Sequence, residues 1–481
     1  MGAPRSVLLR FGGALALVSL GSWALAASLD VSTAYKLRAL NYRDVELTEK
    51  PSNLSYMSQN AQLGFGVKNI ELTGGAGPEP ATMDMALSLR AVGLTGPIGA
   101  STGPIIGHPF DRIAQFYPNA NFIPFIESAY VRTHGLFGYP VDLTIGQQPY
   151  TVGSGLLLSD DGVGLPGVSA RAALPWWDMK ADGYVFQPRS APFNAGNTPG
   201  SLMIYGVSLE VPSEGTWQFN EMMERELNGQ LIELASPVAQ NAPGGYPVSK
   251  AVRSFTSVHY QISYGPMFFD GEAAMEKGSA TPIGPGTVCS DVSGTGLPLC
   301  APNRITFNAN AEVIRAKWKV PIRGQDGIAR LTAARGSGAN VTKPTTDTAF
   351  FPSHGHRLDG LERSGFGEFF QATPYDAFGG HSTSTASGLT PGVSGILSVG
   401  IGFTPPAYKG ITFDFDYWLF QADRSTTADR NLGHETDIRA RYGFRDRFNI
   451  TASAALFSAG TATNPSRPSA RRYMLEFAGR F

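Results

Sequence analysis

Alternation of apolar and polar side chains is the main pattern of this chain, and it is clearest at the C-terminus. Within 471–481, one face carries Tyr473, Leu475, Phe477, Gly479 and Phe481, and the residues between them are mostly polar. Side chains of a β-strand point alternately to its two faces, so this segment predicts a strand with one apolar face. Similar stretches lie at 303–313, 411–421 and 434–444. Their length of about ten residues suits a tilted membrane-spanning strand better than a strand of a soluble domain.

The same pattern recurs along the whole chain and predicts an all-β fold. We place sixteen strands near 29–40, 62–72, 83–94, 124–134, 141–150, 172–186, 201–211, 252–264, 267–277, 303–318, 328–335, 395–403, 411–421, 434–444, 448–457 and 471–481. The alternation breaks within 62–72 and 172–186, which indicates a bulge in each. The predicted fold is a single closed antiparallel transmembrane β-barrel of about 16–18 strands.

The lengths of the connections alternate, as a barrel with both chain ends in the periplasm requires. Long extracellular loops are predicted after residues 40, 94, 150, 211, 277, 335, 421 and 457, and short periplasmic turns between them, such as 445–447. The long connections 213–250 and 336–394 are candidates to fold into the lumen. The first part of 213–250 also fits another strand, and 220–227 fits a short helix.

The N-terminus resembles a secretory signal. Arg5 and Arg10 precede a short apolar run, and Ala24-Leu25-Ala26 supplies the small residues of a cleavage site. We therefore divide the chain into a signal peptide, 1–26, and an outer-membrane β-barrel, 27–481. No later apolar stretch reaches the length of a spanning helix. Cys289 and Cys300 predict one small disulfide, which suits an exported protein.

Charged residues on the polar strand faces are the candidates to line a pore. The net charge of −1 gives no basic field for nucleic acid. Charged pore walls set ion selectivity, whereas the plainer alternative is pairing between strands. The candidates are Lys36, Arg38, Arg90, Arg132, Asp178, Lys180, Asp182, Asp270, Glu272, Arg304, Glu312, Asp414, Asp416, Glu435, Asp437, Arg439 and Arg441.

Few residues suggest catalysis or metal binding. Neither His134 nor His259, which lie on predicted strands, is next to a serine or carboxylate that would suggest a catalytic pair. His354, His356 and His381 lie in a polar loop, where solvation is the plainer interpretation than a metal site. We expect no catalytic residues, no metal and no cofactor.

Two stretches resemble the alginate-export family of outer-membrane porins. The first is Leu143-Thr144-Ile145-Gly146-Gln147-Gln148 with the following Gly153-Ser154-Gly155, and the second is Phe366-Gly367-Glu368-Phe369-Phe370 with Ala377-Phe378-Gly379-Gly380. Gln147 stands where that family usually has arginine. The C-terminal strand ending in Phe481 also resembles the signal that the barrel-assembly machinery recognises. The resemblance implies a monomer in the outer membrane of a Gram-negative bacterium.

The expected function is passive passage of ions, sugars or oligosaccharides through an outer-membrane channel. The expected partners are outer-membrane lipid, the barrel-assembly machinery and a small polar solute, with no nucleic acid. The alternative is a surface-binding or polysaccharide-anchoring barrel with a closed lumen. A third hypothesis is a barrel with hydrolase activity. Conductance in a planar bilayer separates the first two, and lipase and protease assays test the third.

Overall fold

A computed structural model describes most of the chain after residue 26. The described ranges are 27–45, 53–72, 81–96, 121–136, 139–175, 178–188, 202–226, 250–281, 305–338, 346–352, 354–356, 358–359, 362–371, 393–425, 429–463 and 468–481. The predicted signal peptide and both cysteines lie outside these ranges and stay predictions. Within the described part, no helix has the length and apolar character needed to cross a membrane.

Eighteen strands form a closed antiparallel barrel, which confirms the predicted fold class. Its strands are β1 Ser28–Arg43, β2 Leu54–Glu71, β3 Thr82–Thr95, β4 Phe125–His134, β5 Val141–Gln148, β8 Leu165–Leu174, β9 Met179–Phe186, β10 Met203–Pro212, β11 Thr216–Glu226, β12 Lys250–Tyr264, β13 Met267–Thr281, β14 Ile305–Ile322, β15 Gln325–Gly336, β19 Val393–Thr404, β20 Ile411–Ser425, β21 Asn431–Phe444, β22 Phe448–Ala459 and β23 Ser469–Arg480. Each barrel strand pairs with its neighbour in sequence, and β1 closes the ring against β23.

Among the described residues, the connections contain five two-residue strands and a three-residue helix. They are β6 Thr151–Val152, β7 Leu158–Ser159, β16 Thr346–Asp347, β17 Leu358–Asp359, β18 Glu362–Arg363 and the 3-10 helix Thr461–Thr463. β16 runs parallel to β14, at Thr306 and Phe307, so its loop follows the barrel wall.

Short turns and long loops occupy opposite ends of the barrel. The end that holds both chain termini has turns as short as 265–266, 323–324 and 445–447. Arg445 and Asp446 both have positive φ, of 52° and 54°, the backbone that tight hairpins favour. The other end, called the loop end below, carries the long connections.

The predicted strand list missed two strands. Segment 172–186 is a hairpin of β8 and β9, because Pro175 ends β8 and Asp178 turns the chain with φ 51°. The start of 213–250 is strand β11, as the alternative interpretation held. Because two crossing strands were omitted, the strands before and after this region keep their predicted directions. The end of β9 and the start of β10 lie at the loop end, where the prediction had a short periplasmic turn. In 62–72 the predicted bulge is present, between Val67 and Ile70.

Burial in this barrel is inverted relative to a soluble protein. Large apolar side chains are exposed on the outer face, including Val207 at 60%, Ile401 at 59% and Leu475 at 56%. The buried apolar clusters lie inside the barrel, where connections fold back against the wall. Aromatic rings of Phe444, Phe448, Phe477 and Phe481 contact one another at the terminus end, as in an interfacial girdle.

Candidate functional site

The loop that joins β5 to β8, residues 149–164, folds into the lumen. Leu156, Leu157 and Leu158 are buried against inward-facing Phe186 and Phe255 of the wall. Burying such side chains stabilises a loop by roughly 1.5–3 kcal/mol each. We call 149–164 the first inward loop.

Carboxylates of the wall hold the first inward loop through hydrogen bonds. Backbone N–H and Oγ of Ser154 donate to Glu272 at 2.8 and 2.7 Å. Arg90 donates to the carbonyl of Gly162 at 2.9 Å and pairs with Glu127 at 3.0 Å. Gly153 has φ 57°, and a Cβ there would lie 2.6 Å from Glu272, so a glycine is required beside this carboxylate.

Asp160, in the first inward loop and outside the spanning strands, has a pKa well above that of an ordinary aspartate. Burial, with the neighbouring charge of Asp161 as a smaller cause, raises the pKa of Asp160 to about 6.

A second inward loop, 346–371, comes from the connection between β15 and β19. Its buried Phe350 and Phe351 join the same apolar cluster as the first. Phe351 donates its N–H to Glu276 at 3.1 Å, and its carbonyl accepts from the fully buried Arg253. Arg253 pairs with both Glu224 and Glu276, so one cation and two carboxylates fix this part of the loop. Of the connection 336–394, the described residues within 346–371 therefore enter the lumen, and residues 227–249 of the other candidate connection lie outside the described part of the chain.

The far part of the second inward loop attaches to the wall formed by β21 and its neighbours. Phe369 and Phe370 donate their N–H groups to Glu435 at 2.5 and 2.9 Å, and Glu368 donates its own to Asp437 at 3.2 Å. The Glu368 carboxylate pairs with Arg439 and Arg472. Gly367, with φ 79°, allows this approach, since a Cβ would lie 2.7 Å from Glu435.

The two inward loops also contact each other. Ser159 donates its N–H to the carbonyl of His354 at 2.6 Å, and His356 donates its N–H to the carbonyl of Gly155 at 2.8 Å. The His356 ring lies 2.7 Å from the Asp161 carboxylate. The loops are therefore one connected partition inside the lumen rather than two independent flaps.

A basic cavity of about 310 Å³ lies beside this partition. Its charged lining residues are Arg38, Arg439, Arg441, Arg472, Glu368 and Glu476. Four cations and two anions give the lining a formal charge of +2. Arg439 and Arg441 retain 38% and 49% of their side-chain exposure, so their guanidinium groups face the open space.

Strands about half-way round the barrel carry a more balanced set of charges. Arg171 and Lys180 each lie 3.0 Å from Glu210, and Arg171 lies 3.5 Å from Asp182. Asp270 is shared by His259 and Arg315, both at 2.9 Å. The wall opposite the basic cavity therefore has its cations paired with carboxylates, unlike the cavity, which has an excess of cations.

Most sequence-predicted pore residues lie on the inner face of the barrel. The structure places there Lys36, Arg38, Arg90, Arg132, Lys180, Asp182, Asp270, Glu272, Asp414, Asp416, Glu435, Asp437, Arg439 and Arg441. Asp414 and Asp416 are held by Arg330 at 3.2 and 2.9 Å. Glu272 and Glu435 are buried as loop anchors and do not face open lumen.

Two predicted positions were wrong, and some lie outside the described residues. Asp178 belongs to the turn between β8 and β9 and is not part of a wall strand. Glu312 faces outward, next to Arg335 at 3.6 Å, because Ala309 and Ala311 on the other face pack under the inward loops. Arg304, Cys289 and Cys300 lie outside the described residues.

Sequence reasoning missed the residues that hold the partition. Arg253, Glu276 and Arg472 alternate with apolar residues on predicted strands, so they could have been assigned to the inner face. Glu368 pairs with wall arginines only because its loop folds inward, and the alternation of apolar and polar residues does not predict that fold. Among the described residues, no group of three His, Cys, Asp or Glu side chains is placed to hold a metal ion.

No protein-family profile and no curated protein matches the chain. The fold is similar to solved barrels: OccAB1 of Acinetobacter baumannii has a TM-score of 0.53 and 10% identity, with 94% of this chain and 96% of that chain covered. OccAB4 of the same organism has a TM-score of 0.51 and 10% identity, covering 94% and 98%. A BenF-like porin from Pseudomonas fluorescens Pf-5 has a TM-score of 0.49 and 11% identity, covering 94% and 99%.

At these identities the two likenesses with a TM-score above 0.5 show a shared barrel fold. Neither the sequence nor the structure comparison supports the narrower resemblance to the alginate-export family.

Proposed function

We propose that this chain is a passive channel of the Gram-negative outer membrane for small polar solutes, with a preference for anions. The single observation that carries the proposal is the basic cavity beside the partition, inside a closed barrel with an apolar outer face. Such an outer face suits lipid, and a polar interior suits water. Arginines in a pore favour anions because they replace part of the hydration that the ion gives up.

The solute class follows from the cavity chemistry. Arg439 and Arg441 expose guanidinium groups, which bind carboxylate or phosphate oxygens with paired hydrogen bonds. Each of the four arginines has a carboxylate partner: Arg38 has Glu476 at 2.6 Å, Arg441 has Asp414 at 2.7 Å, and Arg439 and Arg472 share Glu368. Arg439 and Arg441 differ from the other two in keeping 38% and 49% of their side chains exposed, so part of each guanidinium group remains open to a solute. A small solute with a carboxylate or phosphate therefore fits better than a neutral sugar or a cation. We propose a monomer, exported through 1–26 and assembled through the strand that ends in Phe481.

Reversal potentials in a planar bilayer test this proposal. In a KCl gradient the wild type should open in steps and favour chloride, whereas the Arg439→Gln, Arg441→Gln double variant should lose most of that preference. Arg439→Lys, Arg441→Lys keeps both charges and should retain it. Arg225→Gln removes an outer-face charge and serves as the matched control.

A silent bilayer, with protein that is folded and inserted, would overturn the channel and favour the closed anchoring barrel. Stepwise openings with equal reversal potentials for the wild type and the glutamine variant would reject the anion preference alone.

A further inference from the structure

Two arginines lie directly opposite each other on the outer face, at the loop end of the β1–β23 seam. Arg43 of β1 and Arg471 of β23 are register partners. They share the outward-facing positions of Tyr473 and Leu475, which are 40% and 56% exposed. Directly opposite residues of an antiparallel pair have Cβ atoms about 5 Å apart.

Neither of these arginines has a carboxylate partner among the described residues. Both side chains are exposed, and the Arg43 guanidinium carbon lies 5.9 Å from the centre of the Tyr473 ring. Like charges directly opposite on a strand pair destabilise it. An anion placed between the two guanidinium groups would remove that repulsion and accept several charge-assisted hydrogen bonds.

The height of the pair indicates where the anion comes from. Arg471 lies ten residues before Phe481, which belongs to the aromatic cluster at the terminus end. Along a tilted strand that distance is about 25 Å, the height of the apolar band of an outer-membrane barrel. The arginines therefore lie at the upper edge of the band, with apolar Leu475 and the Tyr473 ring immediately below them.

We propose that Arg43 and Arg471 bind a phosphate group of an outer-leaflet lipid, an inference that rests on the proposed membrane location. The phosphate lies between the two guanidinium groups. The acyl chains of the same lipid run down the apolar face past Tyr473 and Leu475. This second contact distinguishes a lipid-borne phosphate from free phosphate, which has nothing to bury on that face.

Native mass spectrometry of the full chain in detergent, titrated with lipid A, tests the site. The wild type should bind lipid A that carries its phosphates at least tenfold more tightly than dephosphorylated lipid A. Arg43→Gln, Arg471→Gln should reduce binding of the phosphorylated form to the level of the dephosphorylated one. Arg225→Gln is the control, because this exposed outer-face arginine of β11 is opposite Met203 and Val252 instead of another cation.

Several results would overturn the site. They are retained binding in the double variant, an equal loss in Arg225→Gln, or displacement of the lipid by millimolar inorganic phosphate. Planar-bilayer conductance of the double variant shows that it is folded and separates the two proposals. An active channel without lipid A binding to the wild type rejects the lipid site and leaves the channel intact.

Discussion

At the residue scale, buried carboxylates of the wall act as acceptors for the backbone of irregular loops. Glu272, Glu276 and Glu435 each accept an N–H group of an inward loop. A loop inside a barrel has no strand partner for these donors, and an unpaired buried N–H group costs about 1–3 kcal/mol. A carboxylate that accepts a hydrogen bond from this N–H group offsets the cost, and the hydrogen bond stabilises the buried negative charge.

The Ser154–Glu272 contact depends on the glycine before it. We expect Gly153→Ala to destabilise the first inward loop by about 1–2 kcal/mol, because φ 57° disfavours alanine and its Cβ would press on Glu272. Limited proteolysis should then cut within 149–164 faster than in the wild type. Gly265→Ala is the control, because that turn glycine has a similar φ of 55° and open space around its Cβ. Equal cleavage of 149–164 in both variants would contradict this role for Glu272.

Asp160 should make stability depend on pH. Because its pKa is raised to about 6 in the folded chain, the folded state holds this proton more tightly than the unfolded state. The resulting stabilisation is complete below about pH 4 and is lost as the pH rises through about 6. Asp160→Asn should therefore raise stability at pH 8, by on the order of 2 kcal/mol, and change it little at pH 4.

Thermal unfolding in detergent at the two pH values measures this difference. Asp326→Asn, at an exposed residue at the start of β15, should shift neither midpoint. A shift from Asp160→Asn that is the same at both pH values would show that the buried charge is not the cause.

At the element scale, alternation predicts that a strand exists better than it predicts which face is inside. Strand β14 was recognised, but its alanines face the inward loops and its polar residues face outward near the loop end. The same period-two pattern fits both orientations, since an apolar face packs against either lipid or a buried loop. The sequence prediction placed β11 within a long connection. Glu221 and Glu224 lie on opposite faces of this strand, so neither face is purely apolar.

The buried Arg253 cluster joins three strands and the second inward loop. Arg253→Met should destabilise the barrel by about 3–5 kcal/mol, because Glu224 and Glu276 lose the cation that compensates their burial. Denaturant midpoints in detergent, followed by tryptophan fluorescence, measure the effect. Adding Glu224→Gln and Glu276→Gln to Arg253→Met should recover part of the loss. An unchanged midpoint in the single variant would show that the ion cluster does not support the wall.

At the whole-molecule scale, two inward loops convert a wide barrel into a partitioned one. A barrel of this size without such loops leaves an open aqueous channel. The barrel class, the inner charges of β20 and β21, and the alternation of long and short connections follow from the sequence. The partition cannot be predicted from the sequence. The contacts of Phe369, Phe370 and His356 join segments far apart in sequence, and irregular loops have no periodic pattern of apolar residues.

The central claim is that neighbouring residues of one strand face lipid and water in turn, around a closed wall. Single cysteines along β20, in a Cys289→Ser, Cys300→Ser background, test it directly in reconstituted vesicles. Thr412→Cys and Asp416→Cys, on the inner face and partly exposed, should react with a charged, water-soluble maleimide. Phe413→Cys, Phe415→Cys and Tyr417→Cys, labelled with a fluorophore, should instead be quenched by brominated acyl chains. Uniform reactivity along the strand, or quenching at positions 412 and 416, would contradict the account.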